Sequence, residues 1–248
     1  IASILLFLQK IDELNFSIAF FCDEEEDATG SALYLKNHEP KMAIIMEPTS
    51  LKLCGYHAGC IEAFFEVYSQ ETHGSFCDEN AIQLTVEMFN ELKKLDCWKE
   101  GEYFSSCITL QEIDSRNPHY LNPGICKGRL EARILPNQNS KEIAKKIEEI
   151  VKKYGRVEFK EIWNGFKINE KDEIVRICKE AMEKSGIKFS LGGMPSWTDA
   201  IRFNEKEIKC VVFGPGNLKL AHTKNEYIDV GEIKKASKFL FALNEIMK

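Results

Sequence analysis

The sequence is poor in the features that mark special environments. It has no apolar run approaching the roughly 20 residues that span a bilayer. The longest, Ile1 to Leu8, has no basic segment before it and is followed by Gln9 and Lys10, so it reads as neither a signal peptide nor an anchor. Basic residues are outnumbered, 33 to 39, and a net charge of −6 leaves no basic footprint for nucleic acid. The nine cysteines, Cys22, Cys54, Cys60, Cys77, Cys97, Cys107, Cys126, Cys178 and Cys210, never form a CxxC pair, which excludes a zinc ribbon or dithiol redox motif. They are scattered, odd in number and often inside apolar runs, as Cys210 is beside Val211 and Val212. Buried, reduced thiols in a cytoplasmic protein are expected. No internal repeat, low-complexity segment or long Pro/Gly/Ser-rich linker is present.

A hydrophobic content of 44% with 29% charged residues describes a soluble globular chain rather than a disordered one. At 248 residues it can form one large domain or two of ordinary size. Helical spacing over Ile1 to Leu14 is followed by Phe16 to Cys22, a nearly continuous apolar run that predicts a buried strand. Thr29 to Leu35 reads as a helix and Met42 to Met46 as another buried strand, an α/β alternation with parallel strands.

The texture changes near Gly59. Cys60 to Ser69 fits a strand with one wet face, and Glu79 to Leu95 a long amphipathic helix with Ile82, Met88, Phe89, Leu92 and Leu95 inward. Cys107 to Ile113 and Ile125 to Leu135 are strand-like, and Asn139 to Tyr154 is a helix opened by a capping-box variant, Asn139 with Glu142, and stopped by Gly155. After about Gly165 the α/β texture returns, with helices Lys171 to Lys184 and Val230 to Met247 and strand Cys210 to Phe213. The organisation predicted is an α/β domain, residues 1–57 and 166–248, interrupted by an α+β insertion, residues 58–165.

Three stretches could carry chemistry. Asp23-Glu24-Glu25-Glu26-Asp27 places five carboxylates directly after an apolar run, the usual place for an α/β active site, although a solvated acidic turn before a helix has the same composition. Glu47, in Met46-Glu47-Pro48-Thr49, also ends an apolar run, so two strands could bring their carboxylates to one sheet edge. Phe213-Gly214-Pro215-Gly216 precedes Ala221-His222-Thr223, where glycines allow close backbone approach and His222 sits on a loop. By itself His222 also reads as an ordinary loop histidine.

Together these motifs resemble the acetylornithine deacetylase / succinyl-diaminopimelate desuccinylase / carboxypeptidase family of dinuclear zinc amidohydrolases. The resemblance runs from Asp23-Glu24-Glu25 with Gly30-Ser31, through Glu47-Pro48-Thr49, Thr72-His73-Gly74-Ser75 and Thr198-Asp199-Ala200, to Phe213-Gly214-Pro215-Gly216, Ala221-His222-Thr223 and Asn225-Glu226-Tyr227. It implies an α/β, zinc-peptidase-like catalytic domain with an inserted α+β lid that dimerises. Glu24 would then be the general base. Glu25 and His222 would be ligands of one zinc and Glu47 of the other, with cobalt an alternative metal and two ions per subunit. The triple Glu leaves the register open between Glu24/Glu25 and Glu25/Glu26; the spacing to Gly30-Ser31 favours the former.

In the lid, the resemblance gives His73 the role of reaching the partner subunit's site to stabilise the oxyanion. It assigns Asn122 and Arg133 to the substrate carboxylate or tetrahedral centre, and Gly214 and Gly216 to substrate binding. The implied reaction is hydrolysis of an N-acyl amino acid amide in a cytoplasmic homodimer with no nucleic-acid or membrane partner. The alternatives are a dipeptidase or aminopeptidase of the same fold and a non-catalytic binding or oligomerising relative. One departure stands out: the family's His-x-Asp motif and the bridging Asp just before an Asp-Met-Lys-Gly-Gly-like segment are absent, and Ile1-Ala2-Ser3 looks like the sequence directly after that segment. The metal site of this chain is therefore expected to be incomplete and its hydrolysis negligible.

Overall fold

The computed structural model describes residues 1–76, 78–117 and 119–248. Internal packing divides them into two units, residues 1–57 with 166–248, and residues 58–165. The first unit opens with helices α1 (Ala2–Leu8) and α2 (Thr29–Asn37) and strands β1 (Met42–Ile45) and β2 (Leu53–His57). The second contains β3 (Gly59–Tyr68), β4 (Thr72–His73), α3 (Ala81–Lys93), β5 (Cys107–Asp114), β6 (Leu121–Asn122), β7 (Ile125–Ile134), α4 (Ser140–Val151) and β8 (Gly155–Trp163). The chain then re-enters the first unit through β9 (Phe166–Lys167), α5 (Glu173–Lys184), β10 (Leu191–Met194), α6 (Ala200–Glu205), β11 (Lys209–Val212) and α7 (Val230–Ile246).

The first unit is built on a sheet in the order β1-β11-β2-β10, with β9 also paired to β2. Cys210, Val211 and Val212 are successive and all buried, so both faces of β11 are covered. The sheet is mixed rather than parallel. β1 and β11 run parallel, as do β2 and β10, but β11 meets β2 antiparallel at Val212 and Cys54. The chain leaves the sheet after His57 and returns at Phe166, directly opposite, so the returning strand β9 must run against β2.

Two sequence expectations fail at the N-terminal end. The helix stops at Leu8 instead of Leu14, because the chain at 13–15 is tied to the last helix: Asn15 donates its amide to Asn244 Oδ1 at 2.7 Å, and Asn244 donates to the Glu13 carbonyl at 2.9 Å. The run Phe16 to Cys22 forms no strand, and Phe20 is 53% exposed. A strand needs a hydrogen-bonding neighbour. β1 is paired only with β11, and a cavity of about 790 Å³ lined by residues of 16–21 and 42–47 lies along its other side.

The second unit carries a four-stranded antiparallel sheet, β5-β7-β3-β8, whose inner face packs on α3 and α4. Phe65, Val67, Met88, Leu92, Leu130 and Ile147 are among its fully buried residues. Asn80 caps α3 with a complete capping box to Gln83. Ile82, expected inward, is 39% exposed, because the buried stripe runs through Ala81, Thr85, Met88 and Leu92. Asn139 caps α4 through the Lys141 and Glu142 amides. Of the cysteines, Cys54, Cys60, Cys97, Cys126, Cys178 and Cys210 are buried and free; Cys22 and Cys107 are exposed, contrary to expectation, and Cys77 lies outside the described residues. Among the described residues, no helix is long and apolar enough to cross a membrane.

Candidate functional site

Glu24, Glu25, Glu47 and His222 all belong to the first unit, and the structure makes them neighbours in field if not all in contact. The acidic loop between residue 22 and α2 is a tight turn. Asp23 has φ 65° and Ala28 φ 49°, left-handed values rare for residues with a β-carbon. The first of the five acids is structural: Asp23 Oδ2 accepts from the Thr29 hydroxyl at 2.8 Å and from its amide at 3.3 Å, tying down the start of α2. Gly30 is required because a Cβ there would stand 2.7 Å from the Cys22 backbone.

Glu47 lies two residues beyond β1, and the loop that follows it is laid against residues 214–216. Thr49 and Leu51 donate their amides to the Gly214 carbonyl at 3.3 and 3.0 Å, and Ser50 donates to that of Gly216 at 2.7 Å. A Cβ at Gly214 would meet the Glu47 carbonyl at 2.6 Å, so glycine permits the approach. The Gly216 amide, expected at the substrate, donates to Glu232 Oε2 at 2.7 Å. His222 has φ 61°, and its amide donates to Glu226 Oε2 at 2.7 Å. Of the six non-glycine residues with positive φ, only Glu207 lies away from these three loops, the pattern of strain gathered at a functional site.

The electrostatics are those of crowded carboxylates. Burial, then the charges of Asp199 and Glu25, push the Glu24 carboxyl up to about 7, with His222 opposing. Burial, then Glu24, Asp199 and Glu25, push Glu47 up to about 8. Asp199 is raised by burial, against the hydrogen bond from Ser31 and the charge of Arg202. The opposing charges come from Arg202 at Asp199 and the N-terminal amine at Glu47, and an imidazole stands beside the acidic loop: His222 Nε2 lies 3.4 Å from Glu25 Oε2.

That donor set suits a divalent cation. Two ligands at about 2.0 to 2.1 Å from one tetrahedral ion stand roughly 3.3 Å apart, so Glu25 and His222 fit two positions around a single ion. Among the described residues, no group of three or more His, Cys, Asp or Glu side chains is arranged to hold an ion by itself. Glu47 is thus near enough to feel the charge of Glu25 without forming a third ligand in place.

In the second unit, His73 and Asn122 sit on the paired strands β4 and β6. His73 is exposed, with Nδ1 accepting from the Ser75 amide at 3.2 Å. Asn122 donates to Thr72 Oγ1 at 2.8 Å and to the Phe76 carbonyl at 2.9 Å. Arg133 is on another sheet, in β7, paired with Glu131. Asp199 belongs to the first unit's constellation but has no role in the sequence reading; only its place in the Thr-Asp-Ala motif marked it. His57, a further candidate ligand by type, is fully buried and engages Thr198 Oγ1 at 2.9 Å through Nε2.

The chain is similar to several known proteins. The chain is 26% identical to an uncharacterized metallohydrolase of Methanocaldococcus jannaschii over 91% of its length and 67% of the relative's. It is 24% identical to an acetylornithine deacetylase of Buchnera aphidicola, over 88% of its length and 61% of the relative's. Its fold matches the crystal structure of aminopeptidase PepT from Bacillus cereus with a TM-score of 0.74 at 20% identity, covering 92% of this chain and 63% of that one. The chain thus spans about three-fifths to two-thirds of the length of the proteins it matches. The model of peptidase family M20/M25/M40 runs from residue 1 to residue 245, across both units, and the chain belongs to that family of metal-dependent hydrolases.

Proposed function

We propose that this chain carries part of a dinuclear zinc site for hydrolysing the amide bond of an N-acyl amino acid, of the acetylornithine or succinyl-diaminopimelate type. The observation that supports it is the gathering of Glu24, Glu25, Glu47 and Asp199, where burial and then mutual repulsion raise Glu24 and Glu47, with a histidine 3.4 Å from Glu25. Like charges held together without a matching countercharge are what a cation site requires of its protein. Glu25 and His222 would hold one ion and Glu47 the other, with cobalt able to replace zinc. When bound, the metal supplies Lewis-acid polarisation of the scissile carbonyl.

Proton transfer falls to Glu24. It takes a proton from the attacking water and returns it to the departing amine, a task suited to a carboxylate held near cations. Gly214 and Gly216 let backbone approach the substrate. His73 would stabilise the oxyanion of a partner subunit's reaction, and Asn122 and Arg133 would bind the substrate carboxylate, Arg133 through its guanidinium fork. The second unit would be the dimer contact, in an isologous pairing. Six buried free cysteines suit the reducing cytoplasm.

A second reading, peptide hydrolysis, is favoured by the fold match to an aminopeptidase. The whole protein, loaded with zinc or cobalt, should release ornithine from N-acetylornithine in preference to cleaving a tripeptide, and lose both activities to a chelator. Preference for the tripeptide would select the second reading, and turnover that survives complete metal removal would end both. The 248 residues alone should bind a single ion weakly at Glu25 and His222 and turn over negligibly; two tightly held zinc ions per chain would refute this.

A further inference from the structure

The segment from Trp197 to Arg202 supplies neither base nor ligand in the reading above, yet it grips the C-terminal half of the acidic loop at two points. The Ser31 hydroxyl, fully buried, donates to Oδ1 of Asp199, itself 5% exposed. Three residues on, the Arg202 guanidinium donates to the Asp27 carbonyl at 2.7 Å and stands 5.8 Å from the Trp197 ring. The segment is anchored in turn to the central sheet. Thr198 Oγ1 is 2.9 Å from Nε2 of His57, a β2 residue stacked on Phe166 at 4.9 Å, and accepts the Ala200 amide at 3.2 Å.

The gripped loop needs holding. Left-handed backbone at Asp23 and Ala28 costs energy that persists only where surroundings over-determine the shape. Asp23 secures the start of α2 from within the loop. A connection from the loop to the sheet runs from His57 to Thr198, then along the chain to Asp199, then to Ser31.

We propose that Asp199 is a positioning residue: through Ser31, and with Arg202 on Asp27, it holds the loop Asp23–Ser31 in the strained form that presents Glu24 and Glu25. In this proposal Asp199 acts through Ser31 and is assigned neither proton transfer nor ligation. Its consequence for metal binding rests on the reading of Glu25 and His222 as ligands, but the brace itself rests on geometry alone.

Three variants of the full chain, Asp199→Asn, Asp199→Ala and Ser31→Ala, test it by hydrogen exchange and by calorimetric titration with cobalt(II) chloride. Asp199→Ala and Ser31→Ala should speed amide exchange across residues 24–30 roughly tenfold or more, as expected for loss of a hydrogen bond to a charged group, while leaving the rest of the first unit unchanged. Cobalt affinity should fall by a comparable factor. Asp199→Asn keeps the accepting oxygen and should restore both. If Asp199→Asn binds cobalt as poorly as Asp199→Ala, charge rather than position is what matters and the proposal falls. Faster exchange throughout the unit would make Asp199 a general stabiliser, which also overturns it. Ser31→Ala also removes the 3.2 Å hydrogen bond to the Ala28 carbonyl, so should the Asp199 variants not fold, unchanged exchange in Ser31→Ala overturns the brace, and Arg202→Ala, which frees the Asp27 carbonyl, must loosen residues 24–30 as well for it to stand. Failure of the unaltered chain to bind cobalt would remove the ligand assignment, while loop exchange in these variants would still decide the brace.

Discussion

The two units treat their carboxylates in opposite ways. On the wet face of the second unit, Glu66 is met across its strands by Lys127 and Arg156, each at 2.8 Å, and by the Tyr68 hydroxyl at 2.5 Å. These hydrogen bonds hold its carboxyl down to about 2. Lys153 with Tyr154 lowers Glu91, and Lys146 lowers Asp96, in the same manner. In the first unit the acids face one another, and burial with repulsion lifts Glu24 and Glu47. In the second unit these three carboxylates are met by side chains of that unit. In the first, Glu24 and Glu47 are held up mainly by burial and by other acids.

The sharpest break of this contrast is chemical. In the zinc-loaded whole protein, Glu24→Gln should lower kcat by about 10² to 10⁴ and leave metal content by atomic absorption unchanged, as for loss of a general base. If Glu25→Gln behaves so instead, the base and ligand are each one residue further along.

A purely structural lesion belongs to the second unit. Phe65 is 1% exposed at the centre of its core, and Phe65→Ala should cost about 3 to 5 kcal/mol in urea unfolding. A loss well below that range would mean the core collapses around the gap.

Stability against pH sharpens the comparison, because the signs are opposite. The folded values of Glu24 and Glu47 lie above the ordinary 4.5, so their contribution is complete below that pH and is lost as pH rises through about 7 and 8. The folded value of Glu66 lies below 4.5, so its contribution is present above that pH and is lost as pH falls towards about 2. Segment-resolved hydrogen exchange of the metal-free chain should show the first unit weakening on going alkaline and the second on going acid. Zinc should abolish the alkaline loss by favouring the ionised carboxylates. An alkaline loss that zinc leaves untouched would separate these carboxylates from any cation.

The smallest effect concerns a single surface pair. Arg156→Ala should lower Tm only slightly, and the difference should vanish in high salt, since exposed ion pairs are weak and screened. A salt-independent loss would point to packing of the Arg156 stem on the sheet instead.

Much of the fold was legible because it depends on local pattern. The half-wet strand at Gly59–Tyr68, the amphipathic helix at Ala81–Lys93, except for Ile82, and the cap at Asn139 follow from period and polarity, whereas the Asn80 cap was not read from the sequence. β2, β8 and β10 escaped notice. Leu53–His57 and Leu191–Met194 are short and glycine-bearing, and Gly155–Trp163 is rich in charge, so none has a strong apolar signal. Phe16 to Cys22 failed in the other direction: its apolar pattern is that of a strand, but a strand is a pairing, and pairing is not a property of one segment.

The sequence by itself determined the chemistry on offer at the site: which carboxylates and which imidazole follow which apolar runs, and in what order. Side-chain type and spacing are written in the chain, and motifs made of neighbouring residues survive without coordinates. Only the tertiary structure decided which groups meet. Ser31 and Asp199 are separated by 168 positions, and Glu25 reaches His222 from the other end of the unit. The upward shift of Glu24 and Glu47 likewise has no trace in sequence, because desolvation and Coulomb repulsion depend on distance through space.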